Sequence, residues 1–304
     1  MRKVLTVNFS QTGQLSSILQ SVVGPIKENK DITVDHLVIK PKVNFPFPWP
    51  FGQFFRVFPE TVAMDPIELE PFTTQFEQYD LIILSYQVWF LTPSLPISSF
   101  MQLPQTKKLF NNTPVVTVIG CRGMWLSAQE KMKKLLADAN AKLVDNVVLS
   151  DNCGAAFSFL ATPLWMMTGK KKPLSWVPAA GVSESDITNA RRFGVAINQR
   201  LAYDESAITS PMLSGLNAVK INEKLIASER VGNHSFSIWS KILKKFGSQQ
   251  SIGRAIGLSI YVVFLVTLIL TVVPITAIIK KLIAPLTRNK IAKQKAYFAE
   301  PSGE

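Results

Sequence analysis

The sequence predicts a doubly wound α/β domain of five parallel strands, followed by a C-terminal transmembrane helix. Three observations predict it. Short, bare apolar runs alternate with stretches of helical periodicity through the first two thirds of the chain. At 304 residues, 47% of them apolar, the chain can bury a sizeable core. Residues 255–279 then run 25 positions without a charged side chain, enough to cross a bilayer at about 1.5 Å of rise per residue.

The elements follow in order. Val4 to Asn8 opens the chain as a strand with no signal-peptide apolar run before it. Leu15, Ile18, Leu19, Val22 and Val23 keep helical spacing up to Gly24-Pro25, and residues 32–39 form a second strand. Leu81 to Ser85 and Val115 to Gly120 are the uninterrupted apolar runs of central strands covered on both faces. Ala128, Met132, Leu135 and Leu136 mark a helix, residues 143–150 a fifth strand, and Ser183 with Asp186 opens a last helix reaching Leu201. Together residues 1–202 make the doubly wound domain. Two inserts interrupt it. Residues 44–59 crowd aromatic side chains among four prolines, which argues against a regular element. Residues 155–172 are largely apolar, end in Gly169-Lys-Lys-Lys172 and suit an oily dip into a membrane interface. Residues 203–237 read as a polar linker, 238–254 as a basic amphipathic helix carrying Trp239, and 280–304 as a basic tail.

Composition excludes several classes. Cys121 and Cys153 are the only thiols and stand far apart in sequence, so disulfide scaffolds, CxxC redox sites and cysteine-zinc sites drop out. With His36 and His234 as the only histidines, no poly-histidine metal site is expected. Residues 1–202 carry 20 basic against 15 acidic side chains, and residues 203–304 carry 13 against 6. The basic excess therefore borders the apolar span, a pattern of anionic lipid contact and not of nucleic acid.

Ligands of doubly wound sheets sit at the carboxyl ends of the strands. The first strand runs into Ser10-Gln-Thr-Gly-Gln-Leu-Ser16, whose hydroxyls, glycine and helix N-terminus can hold a phosphate without a cationic side chain. A dinucleotide GxGxxG and a Walker loop are absent. Tyr86-Gln-Val-Trp-Phe-Leu-Thr-Pro follows the third strand, and Gly120-Cys-Arg-Gly-Met-Trp125 follows the fourth. Together these three loops resemble the phosphate, ring-stacking and ring-edge loops of the flavodoxin family, with a departure at Leu15, where that family has a hydroxyl. The resemblance implies a flavodoxin-like sheet of order 2-1-3-4-5 and FMN as cofactor. It implies Ser10, Gln11, Thr12, Gly13, Gln14 and Ser16 around the phosphate, Tyr86, Gln87, Val88, Trp89 and Phe90 about the ring, and Gly120, Cys121, Arg122 and Gly123 at its pyrimidine edge. Arg122 would be the catalytic side chain, a cation that favours the two-electron reduced flavin.

A second likeness runs along the whole chain. Phe9-Ser-Gln-Thr-Gly-Gln-Leu15, Phe45-Pro-Phe-Pro-Trp49, Tyr86-Gln-Val-Trp-Phe-Leu-Thr-Pro-Ser-Leu-Pro96, Met124-Trp-Leu-Ser-Ala-Gln-Glu-Lys131 and Thr168-Gly-Lys-Lys-Lys172 resemble the bacterial family of dialkylresorcinol condensing enzymes. That resemblance implies work beside a partner ketosynthase, whose cyclohexanedione product must be aromatised. Condensation itself calls for an activated cysteine with histidine, which these residues do not provide, so the implied step is oxidation of the ring. A membrane NAD(P)H:quinone reductase and a flavin-free scaffold for the ketosynthase are the alternatives. The expected partners are thus a lipophilic cyclohexanedione or quinone-like substrate, membrane lipid and the ketosynthase.

The flavin domain is expected on the cytoplasmic face of a bacterial inner membrane. A single crossing suits the apolar length. Yet Lys280, Lys281, Arg288, Lys290, Lys293 and Lys295 follow the span against Lys241, Lys244, Lys245 and Arg254 before it, opposite to the positive-inside rule. A segment that enters and returns, bent at Pro274, stays open as the other arrangement.

Overall fold

The computed structural model describes residues 1–151, 153–172, 174–203 and 208–304, so residues 204–207 of the expected linker lie outside the described residues. Strands β1 (Arg2–Asn8), β2 (Ile32–Val38), β3 (Leu81–Trp89), β5 (Pro114–Cys121) and β6 (Lys142–Ser150) pair in parallel in the order β2-β1-β3-β5-β6, and β4 (Thr92–Pro93) folds back antiparallel on β3. Leaving out that two-residue strand, the order is the expected 2-1-3-4-5. Residues of β1, β3 and β5 are buried on both faces because helices cover both.

On one face lie α1 (Gln14–Lys27), α8 (Glu184–Asn189) and α9 (Arg191–Tyr203), packed through Ile18, Val22, Ile187 and Ile197. On the other lie α4 (Leu95–Gln102), α5 (Pro104–Phe110) and α6 (Leu126–Asp138), packed through Phe100, Phe110, Met132 and Leu136. Helix α1 continues past Gly24-Pro25, where the sequence places its end. The proline sits in the last turn and is itself buried, so packing offsets the backbone hydrogen bond it cannot donate. Ser183 caps α8, accepting from Asp186 N at 3.1 Å.

The aromatic insert is more regular than its prolines suggest. It contains α2 (Phe51–Arg56) and α3 (Phe58–Ala63), because Pro50 precedes the first helix and Pro59 occupies the first turn of the second, where no N–H is needed. The second insert forms α7 (Ala155–Thr168), whose Ala161 and Trp165 turn inward onto Phe47, Val177 and Ala180. Trp165 therefore belongs to a cover over the protein's own core and not to a membrane-facing surface, although Phe157 and Leu160 are exposed.

Residues 208–222 are polar and aperiodic yet packed. Ile208, Leu213, Ala218 and Val219 are buried, Ala218 O accepts from Val148 N of edge strand β6 at 2.8 Å, and Asp145 accepts from Met212 N at 2.7 Å. The expected linker thus shields a sheet edge, and its last part joins the expected surface helix in α10 (Glu223–Lys245). Ser240 Oγ donates to Pro59 O at 2.7 Å and Leu243 packs beside Phe58, so α10 docks on α3. Helix α11 (Ile252–Ala299) contains the apolar stretch and most of the expected tail, and it is the one helix among the described residues long and apolar enough to cross a membrane. Both of its ends pack on the domain. Arg254 pairs with Glu60 at 2.6 Å, while Ser302, just beyond the helix, is fully buried against Asp145 and Asn146.

Candidate functional site

The loop after β1 is built as a helix N-terminus left open. Gly13, at the N-cap of α1, has φ +83°, a left-handed backbone that favours glycine, and it offers no side-chain cap. The first-turn N–H groups therefore point into the loop. Gln14 N donates to Thr12 Oγ1 at 3.3 Å. Ser16 Oγ accepts from Asn8 Nδ2 at 2.8 Å, which leaves its own proton to donate, and Asn8 Oδ1 is held by Ser85 Oγ at 2.9 Å. Ser10 Oγ is buried without a hydrogen-bond partner among the described residues. Gln11 Nε2 donates to Pro46 O at 3.0 Å and ties this loop to the aromatic insert.

Two loop residues do other work. Gln14 clips the backbone of Val182, donating to its O at 3.1 Å and accepting from its N at 3.0 Å, so its amide is committed to holding the loop before α8. Leu15 is buried and lies with Ile18 against Gly120, where an added Cβ would meet their methyls at 3.3 and 3.2 Å. The residue that departs from the family's hydroxyl is a core side chain, and Gly120 is what lets α1 approach β5.

Tyr86 to Trp89, expected as a loop, extends β3, and Phe90 and Leu91 turn the chain with φ of +49° and +59° into β4. Strand alternation separates the side chains. Tyr86 points to the α6 face and donates to Gln129 Oε1 at 2.5 Å; Val88 packs in the same core. Gln87 Nε2 is buried with no partner among the described residues. Trp89 lies 4.9 Å from Trp49, 5.1 Å from Phe45 and 6.0 Å from Phe9, centroid to centroid. Phe90 goes the other way, 4.8 Å from Phe54 and 5.1 Å from Phe58. The two aromatics assigned to the ring thus pack into opposite sides of one aromatic network of the insert, joined where Trp49 meets Phe54 at 5.2 Å.

At the end of β5, Gly123 has φ +124° and turns the chain toward α6. Burial pushes the Cys121 thiol up to about 12, so it stays protonated near neutrality and is no nucleophile. Burial also lowers Arg122, with the negative charge of Asp151 opposing. Asp151 organises this corner: its carboxylate accepts from Cys153 N at 2.7 Å and Gly181 N at 2.9 Å. Glu229 of α10 caps α6, accepting from Ser127 N at 2.6 Å, and burial raises its carboxyl. Lys131 Nζ donates to Thr92 Oγ1 at 2.7 Å and lines a cleft of about 380 Å³ between α6 and α10. No group of three or more metal-ligating side chains occurs among the described residues.

Ser10, Thr12, Gly13, Ser16, Gln87, Trp89 and the 120–123 turn thus gather at one end of the sheet, where β1 and β3 lie adjacent at the switch in strand order. The fold is flavodoxin-like. Asn8, Phe9, Trp49 and Asp151 were missing from the sequence-based set. Asn8 carries a signal that could have found it, as an amide side chain at the carboxyl end of the first strand.

No known family profile and no curated protein matches the chain. Among solved structures it is similar to a flavoprotein in complex with FMN from Lactobacillus acidophilus (16% identity, 49% of this chain, 93% of that one, TM-score 0.39). It is also similar to a candidate flavoprotein from Bacteroides eggerthii (17%, 49% and 89%, 0.40) and to a flavodoxin from the Archaea (11%, 66% and 99%, 0.34).

The phosphate end fits FMN by chemistry. An uncapped helix N-terminus, a left-handed glycine and the partnerless Ser10 hydroxyl are what a dianionic phosphate needs. The ring end offers the partnerless Gln87 amide, whereas Trp89 is buried among Phe9, Phe45 and Trp49.

Proposed function

We propose that this protein is a membrane-anchored, FMN-dependent oxidoreductase that aromatises an alkylated cyclohexanedione to a dialkylresorcinol. The observation that carries the flavin part is the open N-terminus of α1 with the buried, partnerless Ser10 and Gln87 beside it, since buried polar groups otherwise find partners. Thr12, Gly13 and Ser16 then hold the phosphate, Gln87 meets the ring's polar edge and Trp89 bounds it. Arg122, balanced by Asp151, keeps positive charge near the pyrimidine edge. The chemistry such a cofactor supplies is acceptance of a hydride from one ring carbon while the neighbouring carbon gives up a proton, so the dione loses two hydrogens and becomes aromatic. The aromatic insert excludes water from the substrate's side. The resorcinol assignment rests on the likeness of residues 9–15, 45–49, 86–96, 124–131 and 168–172 to the condensing-enzyme family. Cys121, held as a thiol, supports oxidation over condensation within it.

Detergent-extracted protein loaded with FMN, given a synthetic dialkylcyclohexanedione and an artificial electron acceptor, should form the resorcinol, read by mass spectrometry as loss of two hydrogens. Full flavin occupancy without that product would overturn the substrate assignment. The packing of Trp89 and Phe90 against the insert favours one further reading, a flavin-free scaffold that brings the ketosynthase to the membrane.

A further inference from the structure

We infer that α11 does not cross a bilayer: its apolar middle dips into the leaflet beside the flavodoxin-like domain and returns, leaving both flanks on the same side. This rests on the membrane reading above and adds the path of the segment.

Four contacts fix the start of the path. Arg254, 2% exposed, pairs with Glu60 of α3, Tyr261 stacks on Phe58 at 4.5 Å, and Tyr261 and Phe264 lie beside Trp239 of α10. The end is fixed as firmly. Lys295 pairs with Glu304 and Glu223, Tyr297 donates to Glu130 Oε2 at 2.8 Å, and Ser302 donates to Asp145 at 2.9 Å and accepts from Asn146 N at 2.6 Å. All these partners belong to one folded unit, so a hydrocarbon core of about 30 Å cannot lie between them.

The lengths agree. From Tyr261 to Lys295 the helix rises about 50 Å, whereas their partners Trp239 and Glu223 are separated by only about 24 Å along α10, at about 1.5 Å per residue. The helix must bow outward between them, and Pro274 and Pro285 sit inside the bow, where each removes a backbone hydrogen bond. A segment tied at both ends reaches out at most half its own path, about 25 Å here, which falls short of the far side of the bilayer. Exposed Val263, Leu270 and Ile275 make the first half of the bow apolar, Lys280 and Lys281 stand near its middle, and exposed Leu282 and Leu286 follow, so the bow lies along the boundary between headgroups and acyl chains and not in the hydrocarbon centre. Because the backbone stays helical through it, no open turn is left in lipid. The partner is an anionic lipid surface. Exposed Arg288, Lys290 and Lys293 lie on the returning limb of the bow, Lys241 and Lys245 precede it, and these charges now face the same leaflet. The conflict with the positive-inside rule disappears.

The test uses the full chain in bacterial cells, with single cysteines at Glu300→Cys and Asn289→Cys, both exposed positions. Ser302 is unsuitable for a probe because it is buried. A membrane-impermeant maleimide should label both sites in inverted inner-membrane vesicles and neither in intact spheroplasts. Labelling in spheroplasts would overturn the return path. Protein found wholly in the soluble fraction would overturn the membrane reading beneath it. As a second measurement on the unsubstituted protein in membranes, zero-length carbodiimide should join Lys295 to Glu223; loss of that cross-link in membranes, with Lys244 to Asp65 still formed, would also contradict a docked tail.

Discussion

At the scale of single residues, the candidate site is a set of hydrogen-bonding commitments, and those decide which side chains remain for a ligand. Gln14 is spent on Val182 and Tyr86 on Gln129, while Ser10 and Gln87 are unspent. Burial keeps Cys121 a thiol near neutrality. On the proposed function, Cys121→Ser should leave the ring oxidation unchanged, and iodoacetamide at neutral pH should not abolish it; loss of activity by either would give the thiol a part in the mechanism. Lys131 gives a pH signature. Burial lowers its amine from the ordinary 10.5 to about 8, so the folded state holds fewer protons than the unfolded state between those values. Folding stability then gains from this group as pH rises from about 8 to 10.5, the cost of burying its charge being present below that window. Denaturation of wild type and Lys131→Met across that range should show the gain in wild type alone. A parallel response of the two proteins would remove Lys131 as its source.

At the scale of elements, the central strands were readable because they are bare apolar runs, and α6 and α9 because their buried residues keep helical spacing. The edge that holds the site was only partly readable. Nothing local marks Tyr86 to Trp89 as strand beyond Ser85, because the pairing that extends β3 comes from β5 and from the Phe90-Leu91 turn. The insert's helices were hidden by prolines that stand at helix starts. The crossing of α1 and α9 shows an equally non-local cause. A Cβ on Gly194 would lie 1.8 Å from Val22 O, so the glycine is there to let two helices touch. Gly194→Ala should cost about 3 kcal/mol by overpacking, measured as a lower urea midpoint with an unchanged slope. A loss under about 1 kcal/mol would mean the helices separate without penalty.

At the scale of the whole molecule, the last residues close the structure. Ser302 bonds to Asp145 and Asn146 on β6, and Asp145 in turn receives Met212 and Leu213 from the segment along the sheet edge. No sequence pattern announces such a contact across more than 150 residues, which is why the region after 203 reads as linker and tail. Ser302→Val should destabilise the domain by about 2–3 kcal/mol through buried groups left unpaired; an unchanged melting temperature would show that the tail is free of β6. The proposed function depends on flavin at the carboxyl edge of the sheet. The visible absorption spectrum of protein purified from cells, compared with that of a Thr12→Ala/Gly13→Val variant of equal fold by circular dichroism, tests this most directly. The wild type should show the two-banded absorption of bound flavin and the variant should lose it, whereas equal flavin in both proteins, or none in the wild type even after soaking in FMN, would contradict the assignment.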